Sequence, residues 1–387
     1  MGSSKRWIWE QEDYPHFTFK SKLIYPLIQK ATLMQGYLIA FTSVLNGEEL
    51  KKKQLEVLTD EAISTSAIEG EHLNRDSVRA SIRKKLGLFN LSEVATDLKT
   101  DYLIDVLVDA NTNYNKELDL ERIFGWHNAL FPTGYSGFSK INVANFRGEE
   151  PMEVVSGGIG KEMIHYAAPS RDILEAEIEN FLKWFNAEDD TIVKAAIAHL
   201  WFVVIHPLDD GNGRISRAVA DLVLSKIEQS SISKLYSMSS AINKNKKSYY
   251  SILDETTGFR RQKGSALDIS KWIEWFLHTL IIALEDAQES LRYILQKTAF
   301  WDAHRDDELN ARQIKVLNKV LDKGVENYEG GLNNRKYVAI AKTSSATATR
   351  DLKDLLTRGC ITLKEGTTGK SSSYMVVVPE IKVPHVQ

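Results

Sequence analysis

The 387-residue chain has one cysteine, eight prolines and no long apolar run, and its charges nearly cancel at 49 Lys+Arg against 52 Asp+Glu. A lone Cys360 excludes an intrachain disulfide and a cysteine-rich zinc site. It fits a reducing compartment, so a cytoplasmic location is expected. The net charge of −3 gives no global pull toward nucleic acid or an anionic surface. The most apolar stretches, 195–205 and 275–284, fall short of the ~18 residues that cross a bilayer and each holds a histidine. They read as core helices, and no membrane partner is expected. The start of the chain has no apolar segment of the secretory kind, and Arg6 stands where a myristoylation signal needs Ser or Thr.

What the sequence does have is helical periodicity. After Pro207 the next proline is Pro379, and the interval is dominated by helix-spaced apolar residues. Leu174, Ile178, Phe181, Leu182 and Phe185 follow the i, i+4, i+7, i+8 pattern, with Ser170 placed to cap the start. Trp272, Phe276, Leu280 and Leu284 repeat it. The fold class is therefore mainly α. Three zones follow from texture: 1–95, with an aromatic, charged start and a boundary loop from 84–87 onward; 100–298, the largest helical block; and 305–380. The middle block is interrupted at 132–169 by a Gly-rich, β-branched segment, which reads as a hairpin at about 153–166 projecting from a helical body.

The informative segment is His206-Pro207-Leu208-Asp209-Asp210-Gly211-Asn212-Gly213-Arg214-Ile215-Ser216-Arg217. Pro207 ends the apolar helix before it, because the residue preceding a proline is disfavoured in helical geometry. Helical period resumes from Arg214. A tight Gly-Asn-Gly loop at a helix N-terminus is an anion site: glycines allow close backbone approach, and orphan N–H groups and the helix dipole favour phosphate. Arg214 and Arg217, at i and i+3, reach the same polyanion. Asp210 at the lip is placed to hold Mg²⁺ through oxygen beside substrate phosphates, and His206 becomes a candidate general base. Taken singly, each piece also reads as a helix cap, a turn or a surface cation.

In this order and spacing the segment resembles the Fic family motif, His-x-Phe-x-Asp/Glu-Gly-Asn-Gly-Arg-x-x-Arg, with Leu208 in place of the phenylalanine. The resemblance implies an enzyme that transfers AMP from ATP to a Ser, Thr or Tyr hydroxyl of a target protein. It implies His206 as base, Asp210 holding Mg²⁺ on the α- and β-phosphates, and Gly211, Asn212 and Gly213 as anion hole. Arg214 would meet the β-phosphate and Arg217 the γ-phosphate. The 153–166 hairpin resembles the flap that lines up the target segment by strand addition. Tyr249-Tyr250 resembles the aromatic pair that approaches the adenine in family members, and also reads as core.

Upstream, Leu55, Leu58 and Ala62 share a helical face and Gly70 is a natural stop, which puts Glu69 in a last turn against the helix dipole. Position alone favours solvent for it. Thr65-x-x-x-Glu69-Gly70 nevertheless resembles the inhibitory-helix motif of autoinhibited Fic proteins, here about 55–70. That resemblance implies that Glu69 pairs with Arg217 and keeps the γ-phosphate from its productive position. It also leaves the removal of AMP open, since the same glutamate positions water in some relatives.

Residues 311–321, 335–341 and 346–358 read as three helices, followed by β-like 361–363 and 374–378. The order resembles a winged helix-turn-helix. Across 305–372 there are 13 Lys+Arg against 9 Asp+Glu, a modest excess that permits phosphate-backbone contact and equally fits a protein-binding module. Gly366–Ser371 and 157–161 lack P-loop spacing. The expected architecture is thus an N-terminal helical domain, a helical Fic core with a β-hairpin flap, and a C-terminal winged helix. Rival readings are a nucleotide-sensing DNA-binding regulator with a non-catalytic core, and an enzyme that moves another phosphate-containing group. A homodimer, DNA contact through 305–380 and the target protein's identity are left open.

Overall fold

Apolar residues at helical spacing become buried stripes almost everywhere. In this computed structural model, which describes residues 6–42, 45, 47–88, 96–156, 163–229, 235–258, 267–367 and 372–380, helices predominate and the strands form three two-stranded antiparallel hairpins. Packing divides the chain into two units, one comprising Met1–Ile39 and Leu50–Glu285, the other Ala40–Glu49 and Asp286–Gln387. Among the described residues no helix is long and apolar enough to cross a membrane.

The first unit contains most of α1 (Ser21–Thr42) and α2 (Gly47–Ile68), followed by α3 (Arg75–Lys85), α4 (Leu98–Thr112) and α5 (Leu120–Leu130). Two hairpins come next, β1–β2 (Tyr135–Ser136, Ser139–Lys140) and β3–β4 (Glu153–Ser156, Met163–Ala167). Then follow α6 (Leu174–Ala187), α7 (Ile192–Ile205), α8 (Asn212–Glu228), α9 (Met238–Lys244), α10 (Lys246–Thr257) and the first half of α11 (Ser270–Ala303). Helix α7 is the hub. It is apolar on nearly all sides and packs against α6 and α8, while α8 also packs against α4 and α5. Trp272 and Phe276 of α11 are fully buried, and the Trp272 indole N–H donates to the Ala196 carbonyl of α7 at 2.7 Å.

The aromatic start of the chain packs on β4. Trp9 donates its indole N–H to the Ala167 carbonyl at 2.7 Å, and Trp7 sets its ring edge to face against Tyr166. The β3–β4 register skips one residue, Val154 facing Tyr166 and Val155 facing Ile164. His165 is thus the extra residue of a bulge, and its Nδ1 lies 3.0 Å from Asp254 Oδ2 of α10. Residues 157–162 at the hairpin tip lie outside the described residues.

In the second unit α12 (Ala311–Leu321), α13 (Asn334–Ala341) and α14 (Ser345–Thr357) precede an antiparallel pair, β5 (Ile361–Leu363) and β6 (Tyr374–Val376). A separate core of Val316, Leu317, Tyr337, Leu352, Leu355 and Ile361 holds them together. Buried Cys360 lies with its thiol against His304, which is itself paired with Asp307 at 2.7 Å. Residues 368–371, part of the Gly366–Ser371 segment weighed against a P-loop, lie outside the described residues.

Two local expectations change. The Ser170 hydroxyl caps nothing: a short 3₁₀ turn, Arg171–Ile173, precedes α6, so the helix starts too far along the chain for that side chain to reach its orphan N–H groups. The helix that holds residue 298 does not end there: α11 continues without a break to Ala303.

Candidate active site

Three structural decisions assemble the site. First, α7 ends at Ile205 as the proline requires, but His206 is left-handed (φ 51°, ψ 57°) rather than extended. A residue with a Cβ pays about 1–2 kcal/mol for that conformation. Arg147, itself buried, offsets it: its Nε donates to the His206 carbonyl at 2.9 Å, and its backbone N–H donates to the Pro207 carbonyl at 3.0 Å. The left-handed turn swings the imidazole out of the α7 packing and into a cleft.

Second, the loop after His206 is stapled internally. The Asn212 side chain donates to the Leu208 carbonyl at 2.8 Å and accepts from the Leu208 N–H at 3.1 Å. Leu208 is fully buried, filling the place where the motif has phenylalanine. Asp209 accepts the N–H groups of Asn142 (2.7 Å) and Gly148 (3.0 Å), so it ties down the 142–148 loop while also lining the cleft. Gly211 turns at φ 82°, and a Cβ there would press on the Phe131 ring at 2.9 Å. Helix α8 therefore starts at Asn212, two residues before the periodicity suggests, and Gly211, Asn212 and Gly213 at its start line the cleft.

Third, α2 delivers two carboxylates to this helix start. Its C-terminus is a Schellman turn, with Gly70 at φ 83°, Gly70 N–H on the Ala67 carbonyl and Glu71 N–H on the Ser66 carbonyl. Lys246 and the Tyr250 hydroxyl donate to the last α2 carbonyls, those of Ala67 (3.1 Å) and Ile68 (3.0 Å). Deeper in, the buried Glu61 carboxylate accepts from the Ser237 hydroxyl (2.7 Å) and the Ser239 N–H (3.1 Å) at the start of α9. The C-terminal part of α2, from Glu61 to Ile68, is thus fixed to α9 and α10 by polar contacts.

The Glu69 carboxylate then meets Arg217, Nη2 to Oε1 at 2.7 Å. Thr65 completes the hold, its hydroxyl accepting from Arg217 Nε (2.8 Å) and its carbonyl from Nη2 (3.0 Å). Glu69 lies so close over Gly213 that a Cβ there would overlap Oε1. Burial works against the Arg217 charge, yet the Glu69 carboxylate carries its pKa above the ordinary value. Arg214 is held likewise, with Nη1 3.2 Å from Glu71 Oε2 and its guanidinium over the Phe131 ring at 4.9 Å.

A cleft of about 280 Å³ opens among these parts. Glu69, His206, Asp210, Gly211, Asn212, Gly213, Tyr249 and Tyr250 all line it, together with Val154 of β3 and Asp254 of α10. Arg214 and Arg217 do not line it; both are buried and engaged by carboxylates. Tyr249 is committed to the core, its hydroxyl 3.0 Å from His199 Nε2, whereas Tyr250 is 41% exposed at the rim. Burial pushes the Tyr250 hydroxyl up to about 12.

The His206 ring can act as a base here. Burial lowers its pKa below 6.5, opposed in part by the contact to the Val203 carbonyl, so it is neutral at pH 7. Nδ1 lies 3.2 Å from that carbonyl, which only accepts, so Nδ1 carries the hydrogen and Nε2 the lone pair. Asp210 receives the Ser136 hydroxyl on one oxygen and the Gly211 N–H on the other. Its carboxylate is the hard oxygen donor that a magnesium ion beside phosphates takes, so the donor set fits that ion.

These features converge on a helix N-terminus, a neutral histidine and a carboxylate, all in the span from α5 to α8. Residues 117–224 match the Fic/DOC family model. The chain carries a Fic/DOC domain. Residues 7–88, which include α2, match the model of a domain of unknown function, DUF4172. A curated relative, protein adenylyltransferase fic-1 of Caenorhabditis elegans, is 36% identical over 59 residues; the aligned stretch covers 14% of this chain and 12% of that protein's length. A solved Fic family protein from Desulfovibrio desulfuricans G20 shares the fold at TM-score 0.54 and 16% identity, covering 94% of this chain and 98% of that one. A Fic-1 structure from C. elegans aligns at TM-score 0.48 and 15% identity, covering 72% of this chain and 74% of that one.

The Fic motif alone locates His206 and Asp210 and brackets the α8 start to within two residues. It is silent on Arg147, Ser136, Phe131 and the Glu71 contact. Phe131, a sequence-adjacent aromatic after an apolar helix, carries no pattern that separates it from core. Arg147 and Ser136 act through main-chain and loop geometry, which has no signature in sequence.

Proposed function

We propose that this protein is an autoinhibited adenylyltransferase that moves AMP from ATP onto a Ser, Thr or Tyr hydroxyl of a target protein. The observation that carries the reading is the Glu69 carboxylate seated on Arg217 and over Gly213, at the helix N-terminus where a triphosphate would lie. An acidic side chain in an anion seat marks both what the seat binds and how it is kept empty. The C. elegans relative fic-1 is a protein adenylyltransferase, which supports the same chemistry.

His206 Nε2 takes the proton of the attacking hydroxyl. The hydroxyl oxygen bonds to the α-phosphorus, the bond from that phosphorus to the bridging oxygen of the β-phosphate breaks, and pyrophosphate leaves. The α8 N–H groups, Arg214 and Arg217 bind the negative charge of the phosphates. Asp210 would hold magnesium, which when bound offsets phosphate charge. Tyr250 at the rim is the surface offered to the base. A target segment would add to the β3 edge, where Val154 and Val155 are exposed, setting its hydroxyl before His206. The C-terminal unit, with three helices and a hairpin, would serve as a docking module for protein or DNA.

The test uses ATP labelled at the α- or γ-phosphate with the Glu69→Gly variant and a cell lysate. Protein should take up α-label but not γ-label, and adding His206→Ala should abolish uptake. Uptake of γ-label would make the enzyme a phosphoryl transferase instead, and specific DNA binding with no uptake would favour a regulator.

A further inference from the structure

Glu69 accounts for one motif arginine and leaves the other to be explained. Arg214 is as deeply buried as Arg217, with 4% of its side chain exposed, and it is engaged by a different carboxylate, that of Glu71. The same Glu71 Oε2 lies 3.0 Å from Lys99 Nζ of α4. The carboxylate is therefore shared between two cations, one buried and one on the surface, with Lys99 half-exposed.

We infer that Glu71 is a second, separable lock on the anion seat, acting on Arg214 through a carboxylate that Lys99 stands ready to take over. This rests on the reading of the cleft as an ATP site. The Schellman turn makes the device: Gly70 in the left-handed region lets residues 69 and 71 present their carboxylates to arginines three positions apart on α8. The two acidic groups thus stand in for two phosphates of the nucleotide. They differ in what release costs. Glu69 has Arg217 as its ion-pair partner among the described residues, whereas Glu71 keeps Lys99 when a phosphate claims Arg214. Phe131, stacked on the Arg214 guanidinium, keeps that side chain in place through the exchange.

The arrangement gives two substitutions of opposite sign at one carboxylate. Removing the Glu71 charge frees Arg214 and tightens ATP. Removing Lys99 leaves Glu71 wholly to Arg214 and weakens ATP. A carboxylate that merely positions Arg214 for phosphate gives the reverse for Glu71.

The experiment measures ATP affinity by calorimetry, with magnesium, in the Glu69→Gly protein and in that protein carrying Glu71→Gln or Lys99→Ala, each checked by thermal melting. Glu71→Gln is near-isosteric and Lys99 is on the surface, so both should fold. Glu71→Gln should tighten ATP by about fivefold and Lys99→Ala should loosen it by about threefold, the scale of single partly exposed charge pairs. Unchanged or weaker binding in Glu71→Gln overturns the second lock while leaving the ATP site standing. Absence of ATP binding in every variant overturns the site reading and the lock with it.

Discussion

Glu69 Oε1 lies 2.7 Å from Arg217 Nη2, and that one contact joins the end of α2 to the first turns of α8 across a sequence separation of 148 residues. It places a fixed negative charge where the helix dipole, the orphan N–H groups and two arginines all favour an anion. The consequences reach stability, pH response and ligand access.

Arg217 should be costly to truncate. It is a buried cation with partners on three Thr65 and Glu69 atoms, so Arg217→Ala strands Glu69 and loses the Thr65 contacts. Because Glu69 is about one-third exposed, the loss should be about 2 kcal/mol, below that of a wholly buried pair. Chemical denaturation checks it, and an unchanged midpoint would contradict the role of Arg217 as the tie between α2 and α8.

Gly211→Ala should destabilise by about 1–3 kcal/mol, since φ is 82° and the new Cβ meets Phe131. Gly213→Ala should be milder, because the group it overlaps is the movable end of Glu69. Comparing the two melting temperatures tests this order, and the reverse order would contradict the packing described.

Acid should weaken the fold through buried histidines. Burial lowers the His127 pKa to about 4 and the His199 pKa to about 3, against 6.5 when unfolded. The unfolded chain therefore binds more protons below pH 6.5, and stability is lost as pH falls from 6.5 toward 4. His199→Phe would remove the Tyr249 contact but should flatten this slope, as followed by urea midpoints across pH 4–7. A slope unchanged by that substitution would contradict the assignment.

The pH profile of transfer should carry the same sign. With the His206 pKa lowered by burial, the acid limb of the Glu69→Gly rate should fall with a midpoint below 6.5. A midpoint above 6.5 would mean that His206 is not the group that loses its proton.

Much of this was legible from residues alone, and the rest was hidden for physical reasons. Helix α12 begins and ends where its periodicity places it, because an Asn310–Gln313 capping box and an apolar stripe both act locally. The α8 start moved two residues because Asn212 and Gly211 fold back on Leu208 and Phe131, contacts that periodicity does not encode. The end of α2 is readable from Gly70, but helical position alone puts Glu69 in solvent; it is the motif resemblance that pairs it with Arg217, a partner far along the chain. Glu71 stood in the same segment without a role, since nothing in a sequence says which of two nearby acids meets which of two arginines.

The most direct test is the initial rate of α-phosphate label transfer to protein by wild type and Glu69→Gly at matched concentration, both shown folded by circular dichroism. If Glu69 closes the anion seat, Glu69→Gly should be faster by at least about tenfold, equivalent to about 1.4 kcal/mol. Equal or slower transfer by a folded Glu69→Gly protein would contradict the account.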